Sequence, residues 1–350
     1  MFDGAKIQKK SEIHTLFTFF SYICAVKGIK TVIYSRAEQL PQVEETNFFH
    51  SRQLFIISAS TPRMKPYMVV CSDEEGRVVS QLLATVRYRT SFLPPFIFMH
   101  CRVMGEGTYA ESTYKKEELF GEMLTALTRK LNKKTLYIEV SNLSQKMFGY
   151  RHFRHNDYFP VHWMSIHNSL HSKTPEERIT EKMMHRIEMA YSRGVTCHTV
   201  ETEDDLKGFN KLLRQHHWFK PKRYIPDSQF FIKLRESNRC QLFVTKIRNR
   251  VIGCSACVYS DEDADLWYSA FRRKTYLPLH PDAVTIWHAI KYAHEHGYQH
   301  INFLDVGLPF QKNSFREFIL RFGGKPVSTY RWFRCSIRWI NALLKWIYRD

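Results

Sequence analysis

Trp287-His-Ala-Ile-Lys-Tyr-Ala-His-Glu-His-Gly-Tyr-Gln-His-Ile-Asn-Phe-Leu-Asp-Val-Gly307 is the stretch that decides the fold. Apolar residues recur at helical spacing as far as Gly297, where a glycine ends the helix. His300-Ile-Asn-Phe-Leu-Asp305 then reads as a strand. Upstream, Ala264-Asp-Leu-Trp-Tyr-Ser-Ala-Phe271 is another strand, separated from a helix over 283–296 by a basic loop. A hairpin precedes it, with arms 241–246 and 251–259 around the turn Arg248-Asn-Arg250. Two helices come earlier, over 175–193 and 203–216; the first stops at Gly194 and the second opens with acidic residues suited to a helix N-terminus.

The first half follows the same order. A hairpin is predicted from 66–71 and 77–86, then a strand over 96–103, a Gly105-Glu-Gly107 loop, a helix over 115–131 and a strand over 135–140. The last strands of the two halves are offset by 300 − 135 = 165 residues, and the pair Trp163 and Trp332 by 169. Similar offsets from separate landmarks point to a duplication with small insertions; two α/β units that merely share an element order are the alternative. An apolar run from Leu16 to Val26, after Lys9 and Lys10, resembles a short signal-peptide core but lacks a small-x-small cleavage site, and reads as an uncleaved helix within 10–27 or a mis-assigned start rather than an export signal.

The 350 residues suffice for two domains, and 44% hydrophobic with 25% charged residues is the balance of a globular chain. Lys and Arg number 52 against 34 Asp and Glu, a net charge of +18 spread along the chain. Such an excess favours anionic partners: RNA, a nucleotide carrier or an acidic lipid surface. Of eight cysteines only Cys254 and Cys257 form a Cys-x-x-Cys, and they lie in an apolar strand with no second pair to complete a zinc site. They read as buried thiols of a reducing cytoplasm. The histidines at 152, 155, 162, 167 and 171 lack the partners that a metal site needs, so no metal is expected.

The unit of hairpin, strand, loop, helix and strand is the core of the GNAT acetyltransferase fold. Its tandem repetition resembles the Fem-type peptidoglycan aminoacyltransferases, the FemABX family. The specific residues are Phe303-Leu-Asp305-Val-Gly307, Phe315-Arg-Glu-Phe318-Ile-Leu-Arg-Phe322-Gly323-Gly324, and Arg186-Ile-Glu-Met-Ala190-Tyr-Ser-Arg-Gly194-Val195. They are similar to that family's strand end, its Phe-Lys-x-x-Phe-Gly motif and its linking helix, closely over about residues 175–334. The resemblance implies an α+β fold of two tandem GNAT-like domains, each a mixed, mostly antiparallel sheet flanked by helices. The domains would span 1–170 and 171–334, with a basic amphipathic helix at 335–350. It also implies an N-acyltransferase that acts on an amine of a peptidoglycan or lipid-linked envelope precursor. Its donor would be aminoacyl-tRNA or acyl-coenzyme A, with no tightly bound cofactor. The protein would be cytoplasmic, peripheral on the inner membrane through the C-terminal helix.

Two departures shape the expected site. The family's lysine would fall at Ile319, leaving Arg316, Arg321 or Lys312 to supply its charge. The GNAT glycine phosphate loop is also missing; in its place stands Phe271-Arg-Arg-Lys-Thr-Tyr-Leu-Pro-Leu-His280-Pro-Asp282. Arg272, Arg273 and Lys274, with Tyr276 and His280 in the same loop, would hold donor phosphates by side chain. Asp305 would orient or deprotonate the amine, unless it caps the following turn, and Glu139 at the matching end of the first-half strand has the same two readings; Arg316 is the second catalytic candidate. Glu106 and Tyr109, the basic-aromatic run ending in Arg223 and Tyr224, and Lys312 are candidates for substrate binding. Trp339 and Trp346 among Arg331, Arg334, Arg338, Lys345 and Arg349 suit an anionic membrane interface; docking on the protein's own body is the alternative. A coenzyme A-dependent acetyltransferase of small amines and a non-catalytic RNA- or membrane-binding protein are the rival functions.

Overall fold

The computed structural model describes residues 26–91, 94–141, 143–217, 224–304 and 306–349. Asp305, Arg223 and most of the expected N-terminal helix lie outside these residues. The first half runs β1 (Lys30–Tyr34), α1 (Arg52–Ser60), β2 (Met64–Ser72), β3 (Val78–Thr90), β4 (Ile97–Met104), β5 (Thr108–Tyr109), α2 (Lys116–Leu131), β6 (Tyr137–Ser141), α3 (Tyr150–His155) and β7 (Phe159–Ser169). The second opens with α4 (Pro175–Arg178), α5 (Glu181–Ser192), β8 (Val195–Thr199), α6 (Glu203–His217) and α7 (Ser228–Arg235). It continues through β9 (Cys240–Ile247), β10 (Arg250–Tyr259), β11 (Asp263–Phe271), α8 (Pro281–Glu295), β12 (His300–Phe303), α9 (Ser314–Leu320), β13 (Lys325–Cys335) and α10 (Arg338–Ile347).

One mixed sheet joins both halves, in the order β1-β2-β3-β4-β6-β13-β7-β12-β11-β10-β9-β8, with β5 paired to β3. Two pairs are parallel, β4/β6 and β11/β12. Each needs a crossover, supplied by α2 and α8 respectively, and these are the two copies of the repeat. The final strand of each half is exchanged. β13 pairs with β6 of the first half, and β7 pairs with β12 of the second. The long β7/β13 ladder, from Lys325↔His167 to Phe333↔Phe159, stitches them together at the centre.

Alternation sorts the side chains. On the strands β3, β4, β6 and β13, Val86, Cys101, Ile138 and Trp332 point into a core covered by α2 and α3, where Phe153 stacks on Trp332 at 4.4 Å. A second core under α5, α8 and α9 contains Phe243, Trp287 and Phe318. A third is shared: Phe48, Phe55 and Met68 of the first half pack with Phe209, Phe230 and Trp267 of the second.

The helix expected over 175–193 is two. Thr174 and Glu177 form a reciprocal capping box around Pro175, closing a single turn. Ile179 and Thr180 are then extended, and Thr180 N–H donates to Arg321 O at 2.9 Å before α5 begins. The Cys-x-x-Cys lies in β10, fully buried, with both thiols pushed up by burial. No helix among the described residues is long and apolar enough to cross a membrane.

Candidate functional site

The two parallel pairs differ in one respect. The β4/β6 ladder runs to the last residue of both strands, Met104↔Ser141, and is closed by Gly105 N–H donating to Ser141 O at 2.6 Å. The β11/β12 ladder stops at Leu266↔Phe303, although β11 continues to Phe271. Beside that continuation lies a cavity of about 960 Å³, lined by Ser269 and Phe271 of β11, by Gly307 and by Phe315 of α9. Its opposite wall is the first half's sheet.

That wall is built by period-two alternation. Arg87 and Arg89 of β3, His100 and Arg102 of β4, Tyr137 and Glu139 of β6, and Arg331 and Phe333 of β13 all reach the cavity. Register makes them neighbours: Arg87 is opposite His100, which is opposite Tyr137, and Arg102 is opposite Glu139. Glu139 holds the group together, 3.1 Å from His100 Nε2, 3.3 Å from Arg331 Nη1 and 3.6 Å from Arg102 Nε. Burial by itself raises the Glu139 carboxyl, but Arg102, His100 and Arg331 together hold it well below the usual carboxylate range. Burial outweighs Glu139 at His100 and pushes that imidazole down to about 4, so it is neutral.

Among the described residues the lining carries five arginines against two carboxylates, Glu139 and Asp282. Arg102 and Arg331 pair with Glu139, and Arg331 also stacks 3.8 Å above Trp163. Arg273 pairs with Asp282 at 3.3 Å. Arg87 is different. It is 4% exposed, its guanidinium lies 5.0 Å from the Tyr224 ring, and its Nε has no hydrogen-bond partner among the described residues. A buried guanidinium without a carboxylate in contact is a site for an anion.

α8 begins at the cavity, but its N-terminus is already occupied. His280 is the left-handed N-cap, with φ 41°, Pro281 has no N–H to offer, and Asp282 accepts from Ala283 N–H at 3.1 Å. The carboxylate of Asp282, held also by Arg273, stands where a donor's phosphate would meet the helix dipole.

The expected residues are scattered. Tyr224 and Arg273 line the cavity. Arg272 bonds Gln215 at 3.0 Å, Lys274 is exposed in a turn, and Tyr276 accepts from Arg250 at 2.8 Å. Arg316 clamps a loop through Leu308 O and Gln311 O, both at 2.8 Å, and Lys312 is exposed. Glu106 and Tyr109 belong to the closed first-half loop: the Tyr109 hydroxyl donates to Glu106 O, and the Glu106 carboxylate accepts from Ser144. Ile319 is fully buried in the α9 core. Arg331 and Arg334, expected to add charge to the terminal helix, lie in β13 instead, Arg331 facing Glu139 and Arg334 bonded to Asn156 O and Asn132. The arginine wall carries a local signal, charged residues at alternate positions within apolar strands, as in Val86-Arg-Tyr-Arg89 and His100-Cys-Arg102.

Residues 181–312 match the acetyltransferase (GNAT) domain family. No curated protein matches the chain by sequence. Among solved structures, FemX superposes with a TM-score of 0.55 at 11% identity, over 84% of this chain and 97% of that one. L-PGS from Bacillus licheniformis gives 0.54 at 11%, over 85% and 92%. A tandem GNAT protein from the clavulanic acid biosynthesis pathway gives 0.53 at 10%, over 88% and 98%. The class is thereby defined: an α+β protein with the GNAT acyltransferase fold in tandem. Within it, the likeness to FemX and L-PGS agrees with the Fem-type motifs in the sequence.

Proposed function

We propose that the chain is an N-acyltransferase that moves an aminoacyl group to an amine of an anionic, lipid-linked envelope precursor. The observation that carries this reading is the cavity where β11 outruns β12, walled on its other side by the arginines around Glu139. The donor carbonyl would lie at the strand opening and the acceptor's anionic part against Arg87. The acceptor nitrogen attacks the carbonyl carbon; a C–N bond forms, the donor's ester C–O bond breaks, and the amine proton passes to the departing oxygen. His216 is the imidazole best placed to carry that proton. It lines the cavity beside the end of β11, its Nδ1 3.1 Å from Phe271 O and 3.5 Å from Phe271 N. Glu139, held ionised by its cationic neighbours, positions the arginines and is a poor base.

Asp282 at the α8 N-terminus supports an aminoacyl-tRNA donor, because it blocks the place where coenzyme A's pyrophosphate would meet the helix. The acetyltransferase match over 181–312 favours a coenzyme A thioester as the second reading. Purified protein offered each donor, with a labelled acyl group and an amine-bearing anionic acceptor, tests both. Transfer from charged tRNA alone is expected, and His216→Gln should lower kcat about a hundredfold or more with little change in KM. Transfer from the thioester alone establishes the second reading, and no transfer from either overturns both.

A further inference from the structure

The helix α10 is docked the wrong way round for a helix that closes a core. Its one buried residue is polar: Asn341 accepts from Cys335 N–H at 2.8 Å and donates to Asp157 O at 3.0 Å, and Lys345 reaches the Asp157 carboxylate at 2.5 Å. Its outward side is apolar. Trp339 and Trp346 are each 70% exposed, Ile347 55% and Leu343 48%. A terminal helix held on the body by its core-facing stripe would show the opposite pattern.

A second apolar patch lies at the same end of the sheet. Cys335, the last residue of β13, is opposite Tyr137, which is opposite His100. Strand β4 starts three residues before His100, at Ile97, which is 70% exposed next to Phe96 at 61%. The β3–β4 hairpin tip and α10 therefore project from one end of the sheet, two strands apart. Between them runs the loop into β6, with Lys133 and Lys134 exposed, tied to the start of α10 by Ser336 N–H donating to Leu136 O at 2.9 Å. Arg338 at the start of α10 and Arg349 just beyond its end are exposed. Asp157, the acid in contact with the helix, is taken by Lys345. The cavity residues Arg89, Tyr137 and Phe333 belong to this end as well.

We infer that this end of the molecule, α10 together with the Phe96–Ile97 tip, seats on a bilayer surface carrying anionic lipid. Exposed tryptophans with aliphatic neighbours enter the boundary between headgroups and acyl chains, and the flanking lysines and arginines meet the lipid phosphates. The net charge of +18 acts in the same direction. The inference rests on the proposed function only for its purpose: a lipid-linked acceptor would enter the cavity from the seated end.

The test is sedimentation of the full chain with vesicles of phosphatidylcholine alone and of phosphatidylcholine mixed with phosphatidylglycerol. Binding to the mixed vesicles is expected, weakened by salt. The double variant Trp339→Ser/Trp346→Ser should bind at least about tenfold less, with an unchanged circular dichroism spectrum. Both side chains are mostly exposed, so the fold does not need them. Wild-type protein that ignores anionic vesicles overturns the inference, as does a double variant that binds undiminished. A wild-type dimer that the double variant abolishes would assign the face to a second copy and overturn it equally. Vesicle binding needs no turnover, and the variant's activity on a soluble acceptor should match wild type. Failure of the lipid surface is thus separable from failure of the transferase reading.

Discussion

Arg87 and Glu139 sit on one sheet face and do opposite work. Glu139 collects His100, Arg102 and Arg331 into a fixed arrangement, whereas Arg87 has no carboxylate in contact among the described residues. Replacing Arg87 with methionine retains the stem and deletes the charge. A charge-assisted hydrogen bond contributes about 1.5–3 kcal/mol, so KM for the anionic acceptor should rise about tenfold or more, with kcat changed far less; initial rates against acceptor concentration measure it. The buried histidines make a separate expectation. His100 is held neutral down to about 4 and His50 down to about 3, both by burial, while each takes a proton near 6.5 when unfolded. As pH falls below 6.5 the unfolded chain binds protons that the native chain refuses. Each imidazole then lowers stability by on the order of 1.4 kcal/mol per pH unit until its folded value is reached. Asp265, pushed up to about 7 by burial and by Asp263, acts with the opposite sign above its unfolded value of 3.8. The informative quantity is therefore a difference. Denaturant melts at about pH 7 and about pH 5 should show a smaller loss in His100→Gln than in wild type.

At the scale of elements, α8 is seated on β10 by a missing side chain. A Cβ on Gly253 would meet the Thr285 hydroxyl, with Thr245 Cβ at 3.1 Å and Pro281 O at 3.2 Å. Thr285 cannot yield easily, since its hydroxyl is bonded to Pro281 O at 2.7 Å and to Thr245 at 2.6 Å. Gly253→Ala should cost about 2 kcal/mol, read as a lower denaturation midpoint at unchanged slope. Elements whose signal is local were legible from the sequence. The hairpins β2/β3 and β9/β10, strand β11 and helices α2, α6 and α8 lie within a few residues of their predicted ranges. The break at Ile179 was not, because its cause is a hydrogen bond from Thr180 to the distant Arg321. The site was less legible. Arg87, Arg102, Glu139 and Arg331 come from four strands, and only register, a long-range property, brings them to one wall. The basic loop at 272–274 carries a strong local charge signal, yet of its three cations only Arg273 lines the cavity.

For the molecule as a whole, the exchanged strands decide what can exist alone. A fragment ending at 170 would carry β7 without β12 or β13, and would leave the β6 edge bare. A fragment starting at 171 would carry β13 without either of its partners. Fragments 1–170 and 171–350 made separately are expected to be insoluble or to lack a cooperative melt. Made together, they should co-purify as a one-to-one complex, and the intact chain should unfold in a single transition by calorimetry. Two independently soluble, separately melting fragments would show that the exchange is dispensable. The same arrangement governs the order in which the protein can mature on the ribosome. The place between β6 and β7 is vacant until the segment from Lys325 to Cys335 has been made, and translation at about 5–20 residues per second leaves that gap open for tens of seconds at the slower end. During that interval the nascent first half exposes two strand edges that any passing extended chain can fill. Its successful birth therefore depends on whatever guards those edges until its own last strand arrives.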